Sequence, residues 1–94
     1  MSDLGRVERA VELLLREMLG RPDLLVVTAI EHSDGSATLF VSTAPGDVGK
    51  LLGKQGRTAV SLRNILHAVS MNLGRTIKLD IELDGKPRSL HPGN

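Results

Sequence analysis

Two glycines three residues apart, Gly53 and Gly56, interrupt what would otherwise be one helical pattern from Pro45 to Leu73. The octet around them reads Gly49-Lys50-Leu51-Leu52-Gly53-Lys54-Gln55-Gly56, with a cation and an amide between the two glycines. Neither glycine carries a Cβ, so the chain is free to turn sharply and a sugar-phosphate backbone is free to approach closely. A short helix, a two-glycine turn and a long helix therefore follow one another. The turn delivers the unpaired N–H groups and positive dipole end of the second helix to an anion.

The flanking patterns fix the order of elements. Residues 3–19 place Leu4, Val7, Val11, Leu14, Leu15 and Met18 at three- and four-residue steps, an amphipathic helix stopped by Gly20 with Pro22 beyond it. Residues 24–32 are rich in β-branched side chains and read as a strand, and Asp34-Gly35 is a hairpin signal. Ala37 to Ser42 alternates as a second strand. Pro45 suits the first turn of a short helix over 45–52, and a longer helix over 57–73 ends at Gly74. Ile77, Leu79, Ile81 and Leu83 alternate with Lys78, Asp80 and Glu82, a half-buried last strand. Residues 84–94 are polar with two prolines and two glycines and read as a mobile tail. The expectation is an α+β domain over residues 1–83, ordered α-β-β-α-α-β, with a three-stranded mixed sheet covered on one face by helices.

Ninety-four residues suit one domain. The net charge of +1 points to no particular partner, but its distribution does. Between Gly49 and Arg63 stand Lys50, Lys54, Arg57 and Arg63 with no acid, whereas the first helix mixes both signs. The absence of cysteine removes disulfides and thiolate metal sites. The N-terminus is interrupted by charge, and no run approaches the roughly 18 apolar residues of a membrane span, so a cytoplasmic protein is expected.

The candidate chemistry is phosphate binding. Gly53 and Gly56 form the turn, Lys54 and Gln55 its tip, and Lys50, Arg57 and Arg63 supply further charge along the same edge. Val48, Leu51, Leu52 and Val60 are candidates for an apolar floor under bases. Phe40 is the only aromatic residue in the chain, which argues against recognition by stacking platforms. A nucleotide P-loop fails, because no glycine stands five residues before the Gly53-Lys54 pair and no Ser or Thr follows Lys54. His32, His67 and His91 have no metal-ligand spacing, and the serines have no histidine at a recognisable distance. No catalytic group, metal or cofactor is expected.

The element order, with Asp47-Val48-Gly49-Lys50-Leu51-Leu52-Gly53-Lys54-Gln55-Gly56-Arg57-Thr58 and then Leu62-Arg63, resembles the small bacterial type II KH proteins of the KhpA (YlqC) family. The resemblance covers residues 3–83. Leu52 stands where the family commonly has isoleucine, and the segment from Asp84 onward extends past the last strand with no role implied by the resemblance. What the resemblance implies is noncatalytic clamping of about four nucleotides of single-stranded RNA by the GxxG loop. It also implies an RNA-chaperone role, self-association, and pairing with a KhpB (Jag/EloR)-like partner in cell-wall growth and cell shape. A rival reading is a protein-interaction adaptor whose KH fold mainly docks a partner KH protein; it would depend on exposed apolar helix residues such as Val60.

Overall fold

A computed structural model describes residues 3–53, 56–83 and 86–89, with side chains to residue 82. The helices are α1 (Asp3–Arg16), α2 (Val48–Leu52) and α3 (Arg57–Leu73). The strands are β1 (Val26–Glu31), β2 (Ala37–Ser42), β3 (Ile77–Leu83) and β4 (Lys86–Ser89), side by side in that order. β1 and β2 pair antiparallel, β2 and β3 parallel, and β3 and β4 antiparallel. The expected α-β-β-α-α-β order and mixed three-stranded sheet are present, with a fourth strand added at the β3 edge.

That fourth strand corrects the expectation for the C-terminal residues. Residues 86–89 pair with residues 80–83 in the register Leu83↔Lys86, which leaves two residues, Asp84-Gly85, for the connection. An Asp-Gly pair between extended segments is the same hairpin signal as Asp34-Gly35. Counting outward from the turn, bonded and non-bonded pairs alternate, so Pro87, opposite Glu82, falls where its missing N–H faces away from β3. Proline is tolerated on an edge strand for this reason.

The sheet alternates as a half-buried surface should. Ala37, Leu39, Val41, Ile77, Leu79 and Ile81 lie beneath the helices and are buried, Leu39, Leu79 and Ile81 completely. Leu15 from α1, Leu51 from α2 and Leu62 and Leu66 from α3 close the core over them. α1 packs on β1 and α3 on β3. Each large aliphatic side chain so buried contributes roughly 1.5–3 kcal/mol.

Boundaries differ from expectation at the α1–β1 connection. α1 gives up its helical bonding at Arg16, and Glu17 and Met18 donate instead to Leu14 and Leu15, three residues back. Pro22–Leu24 forms a 3-10 turn with the proline at its start, so β1 begins at Val26. The hairpin between β1 and β2 has a three-residue loop: His32 N–H donates to Ser36 at 2.8 Å and Gly35 N–H to His32 at 3.0 Å, with Gly35 at φ +89°.

The parallel pairing of β2 with β3 places the Gly53–Gly56 turn. β2 and β3 end on the same side of the sheet, and α2 and α3 carry the chain from the end of β2 back to the start of β3. At the far end Ser70 ties helix to strand: its hydroxyl donates to Leu66 O at 2.8 Å and accepts from Ile77 N–H at 3.0 Å. A 17-residue helix spans about 25 Å and a seven-residue strand about 23 Å. The N-terminus of α3 therefore lies at the end of the sheet where β3 turns into β4. Among the described residues, no helix is long and apolar enough to cross a membrane.

Candidate nucleic-acid interface

The site is built where α2 hands over to α3. Gly53 N–H donates to Gly49 O at 2.9 Å as the last bond of α2, and Gly56 N–H donates back to Gly53 O at 3.0 Å. That second bond closes the turn holding positions 54 and 55. Lys54 and Gln55 themselves lie outside the described residues.

The two glycines answer different needs. Gly53 sits at φ 77°, ψ 168°, a region open only to glycine. A Cβ there would press on Thr58 Oγ1 and lie 2.6 Å from Thr58 Cβ and backbone N. Gly56, the N-cap of α3, is left-handed at φ 74°, ψ 11°, and a Cβ there would meet nothing within 4 Å among the described residues. Gly53 is thus required by both conformation and close approach, Gly56 by conformation alone.

The first turn of α3 contains no acidic residue, and among the described residues no side chain caps it. A helix start without a side-chain cap presents N–H donors to an external anion. Arg57 is exposed in this first turn and Val60 is 47% exposed one turn on. Arg63 is half-buried, and its Nε is buried without a hydrogen-bond partner among the described residues. Val48 and Leu52 are half-buried. Leu51 departs from expectation: it is completely buried, so it supports the floor from beneath and presents no surface to a base.

Lys50 is engaged with a residue to which the sequence reading assigned no role. Its ammonium lies 3.8 Å from Asp47 Oδ1, with the lysine side chain still half exposed. Asp47 is buried and accepts from the N–H groups of Gly20 at 3.0 Å and Arg21 at 2.8 Å. The Arg21 N–H, then that of Gly20 and the nearby Lys50 charge, hold its carboxyl below the usual value, with burial opposing them. One carboxylate thus fastens the end of the α1 segment to the start of α2. Nothing local in the sequence announces this, because the partners are 26 and 27 residues away.

Comparison with known proteins agrees with this geometry. The family model described as KhpA/KhpB, KH domain matches residues 8–81. RNA-binding protein KhpA of Halalkalibacterium halodurans is 40% identical over 72 residues, covering 76% of this chain and 92% of the relative. That of Aquifex aeolicus is 37% identical over 78 residues, 83% of this chain and 98% of the relative. That of Mycobacterium bovis is 38% identical over 72 residues, 77% and 85%. No solved structure matches the chain. With the GxxG turn between α2 and α3, the parallel β2–β3 pair and a family match across most of its length, the chain belongs to the KhpA/KhpB KH-domain family.

Proposed function

We propose that this protein binds single-stranded RNA without catalysis, holding the backbone at Gly53-Lys54-Gln55-Gly56. The observation that carries this reading is the α3 N-terminus, which among the described residues has no acid in its first turn and no side-chain cap, behind a turn closed by the Gly56–Gly53 bond. Relatives that cover most of the chain bear the name RNA-binding protein KhpA. Lys54, Arg57, Arg63 and the half-exposed Lys50 supply charge, while Val48, Leu52 and Val60 supply an aliphatic groove. A single module of this kind binds modestly and with strong salt dependence, and two copies would gain by avidity. Replacing Lys54 and Gln55 by aspartate tests the clamp. Circular dichroism and melting should be unchanged and affinity for a short RNA pool lost; retained affinity overturns the assignment.

A protein-docking role has its own support. Between α1 and α3 runs an apolar groove of about 410 Å³ lined by Val7, Leu14, Ile65, Val69 and Leu73. Leu14 and Ile65 on its rim are 49% and 53% exposed. Under this reading the cytoplasmic protein, acting as an RNA chaperone, self-associates or pairs with a KhpB-like partner and so serves cell-wall growth and cell shape. Ile65→Glu should abolish self-association by light scattering and partner capture, while RNA binding persists. Unchanged assembly in that variant refutes the groove as the contact.

A further inference from the structure

Asp47, Lys50 and Gly53 follow one another at three-residue steps, which puts them on one flank of α2 and its two ends. Lys50 stands in the middle, one turn from the first loop glycine and one turn from the carboxylate. Helical side chains lean toward the N-terminus of their helix, which for Lys50 is toward Asp47 and away from the turn. Its ammonium follows that bias and lies 3.8 Å from Asp47 Oδ1.

The pair meets in a space that a glycine leaves open. A Cβ on Gly20 would fall 3.0 Å from Lys50 Nζ and 3.2 Å from Asp47 Oδ1. Asp47 does not depend on the lysine for its hydrogen bonds. It occupies the N-cap position of α2 but, among the described residues, makes no capping bond there. Its two oxygens accept instead from the N–H groups of Gly20 and Arg21. The carboxylate is buried, whereas the lysine side chain is 56% exposed. Lys50 is therefore free to leave for a phosphate without stripping a buried charge of its hydrogen bonds. While it stays, the two opposite charges cancel, and this flank of α2 offers little attraction to an anion at the turn.

We propose that Asp47 competes with RNA phosphate for Lys50. The lysine joins the clamp only by leaving the carboxylate, and Asp47 thereby limits the affinity of the site. This rests on the RNA reading above and adds a regulatory residue to it. Asp47 acts on RNA through Lys50, as a positioning residue. A substitution that loosens the fold at Asp47 should therefore tighten RNA binding.

The test uses the full chain and a fluorescein-labelled single-stranded RNA of mixed sequence, about four nucleotides long, titrated by anisotropy across a salt series. Titrations are run well below the melting temperature of each variant, with circular dichroism to confirm the fold. Asp47→Asn should steepen the log–log salt slope by about 0.7, the contribution of one more neutralised phosphate. Affinity at about 0.1 M salt should rise by about two- to fivefold. In a Lys50→Gln background, Asp47→Asn should leave the slope unchanged. A slope that stays constant or falls in Asp47→Asn overturns the inference, because a purely structural role predicts unchanged or weaker binding. An equal rise in the Lys50→Gln background also overturns it, since Asp47 would then act on RNA directly. The unaltered chain supplies a second measurement. The nuclear Overhauser contact between the Lys50 ε-methylene and the Gly20 α-protons should be present in the free protein and lost at RNA saturation. Its persistence overturns the inference and leaves the clamp standing. Failure of the wild-type chain to bind the RNA overturns the clamp reading itself, and this inference with it.

Discussion

Alanine at Gly53 and alanine at Gly56 should have unequal effects, although the two positions look alike in the motif. At Gly56 the cost is the left-handed conformation, about 1–2 kcal/mol for a residue with a Cβ. Loss of unfolded-state freedom returns about 0.4–1 kcal/mol. The new methyl group meets nothing within 4 Å among the described residues, so Gly56→Ala should destabilise by about 1 kcal/mol. At Gly53 the conformation itself costs about 1–3 kcal/mol. The methyl group would also overlap Thr58, and two of the atoms it meets, Cβ and backbone N, belong to the start of α3 and have no rotamer to change. Overpacking of this kind adds about 1–3 kcal/mol. Gly53→Ala should therefore destabilise by about 3 kcal/mol or more. At about 4–8 °C per kcal/mol for a domain of this size, Tm should fall by about 5 °C for Gly56→Ala and by well over 10 °C for Gly53→Ala. Thermal melts followed by circular dichroism, with urea unfolding to check that the m-value is constant, measure both. Equal shifts, or a larger one at Gly56, would refute the role assigned to the Gly53–Thr58 contact.

Other consequences are open to measurement. Leu39→Ala, in a completely buried position of the central strand, should cost about 3–5 kcal/mol in urea unfolding; a cost below about 1 kcal/mol would contradict the packing. Ser70→Ala leaves Ile77 N–H without its acceptor and should cost about 1–2 kcal/mol, with no effect on RNA affinity. The Asp47 carboxyl is held below its ordinary value of 3.8, so its contribution to stability is complete above that pH and is lost as pH falls through the depressed value. Asp47→Asn should lower Tm at neutral pH, and the gap to wild type should close in acid. A gap that stays constant down to pH about 2 would show that ionisation of Asp47 contributes nothing.

Most of the fold was legible because its signals are local. The stripe of Leu4, Val11 and Leu15, the alternation of Leu39 and Val41, and the alternation of Ile77, Leu79 and Ile81 each fall within one element and find the core where expected. The Gly53–Gly56 turn was legible for the same reason. Two features were not. Asp47 acts through backbone groups supplied by a distant connection, and no periodicity within 45–52 distinguishes it from a solvated acid. β4 was obscured by Pro87 and by its polar composition, although Asp84-Gly85 after Leu83 carried the hairpin signal. Leu51 shows the limit inside the site: spacing put it on the apolar side of α2, but only packing shows that this side faces the core.

The parallel pairing of β2 with β3 joins Ala37 to Ile77, forty positions along the chain. Hairpins and helices close early in folding, whereas such a distant pairing waits on loop-closure entropy. The GxxG turn lies inside that loop, and α3 is held over the sheet only once β3 has docked beside β2. On a growing chain α1, β1 and β2 emerge first, and the surroundings of the GxxG turn are completed only after β3 has docked. An N-terminal fragment ending before β3 would carry every glycine and lysine of the motif and still lack the surface against which they are set.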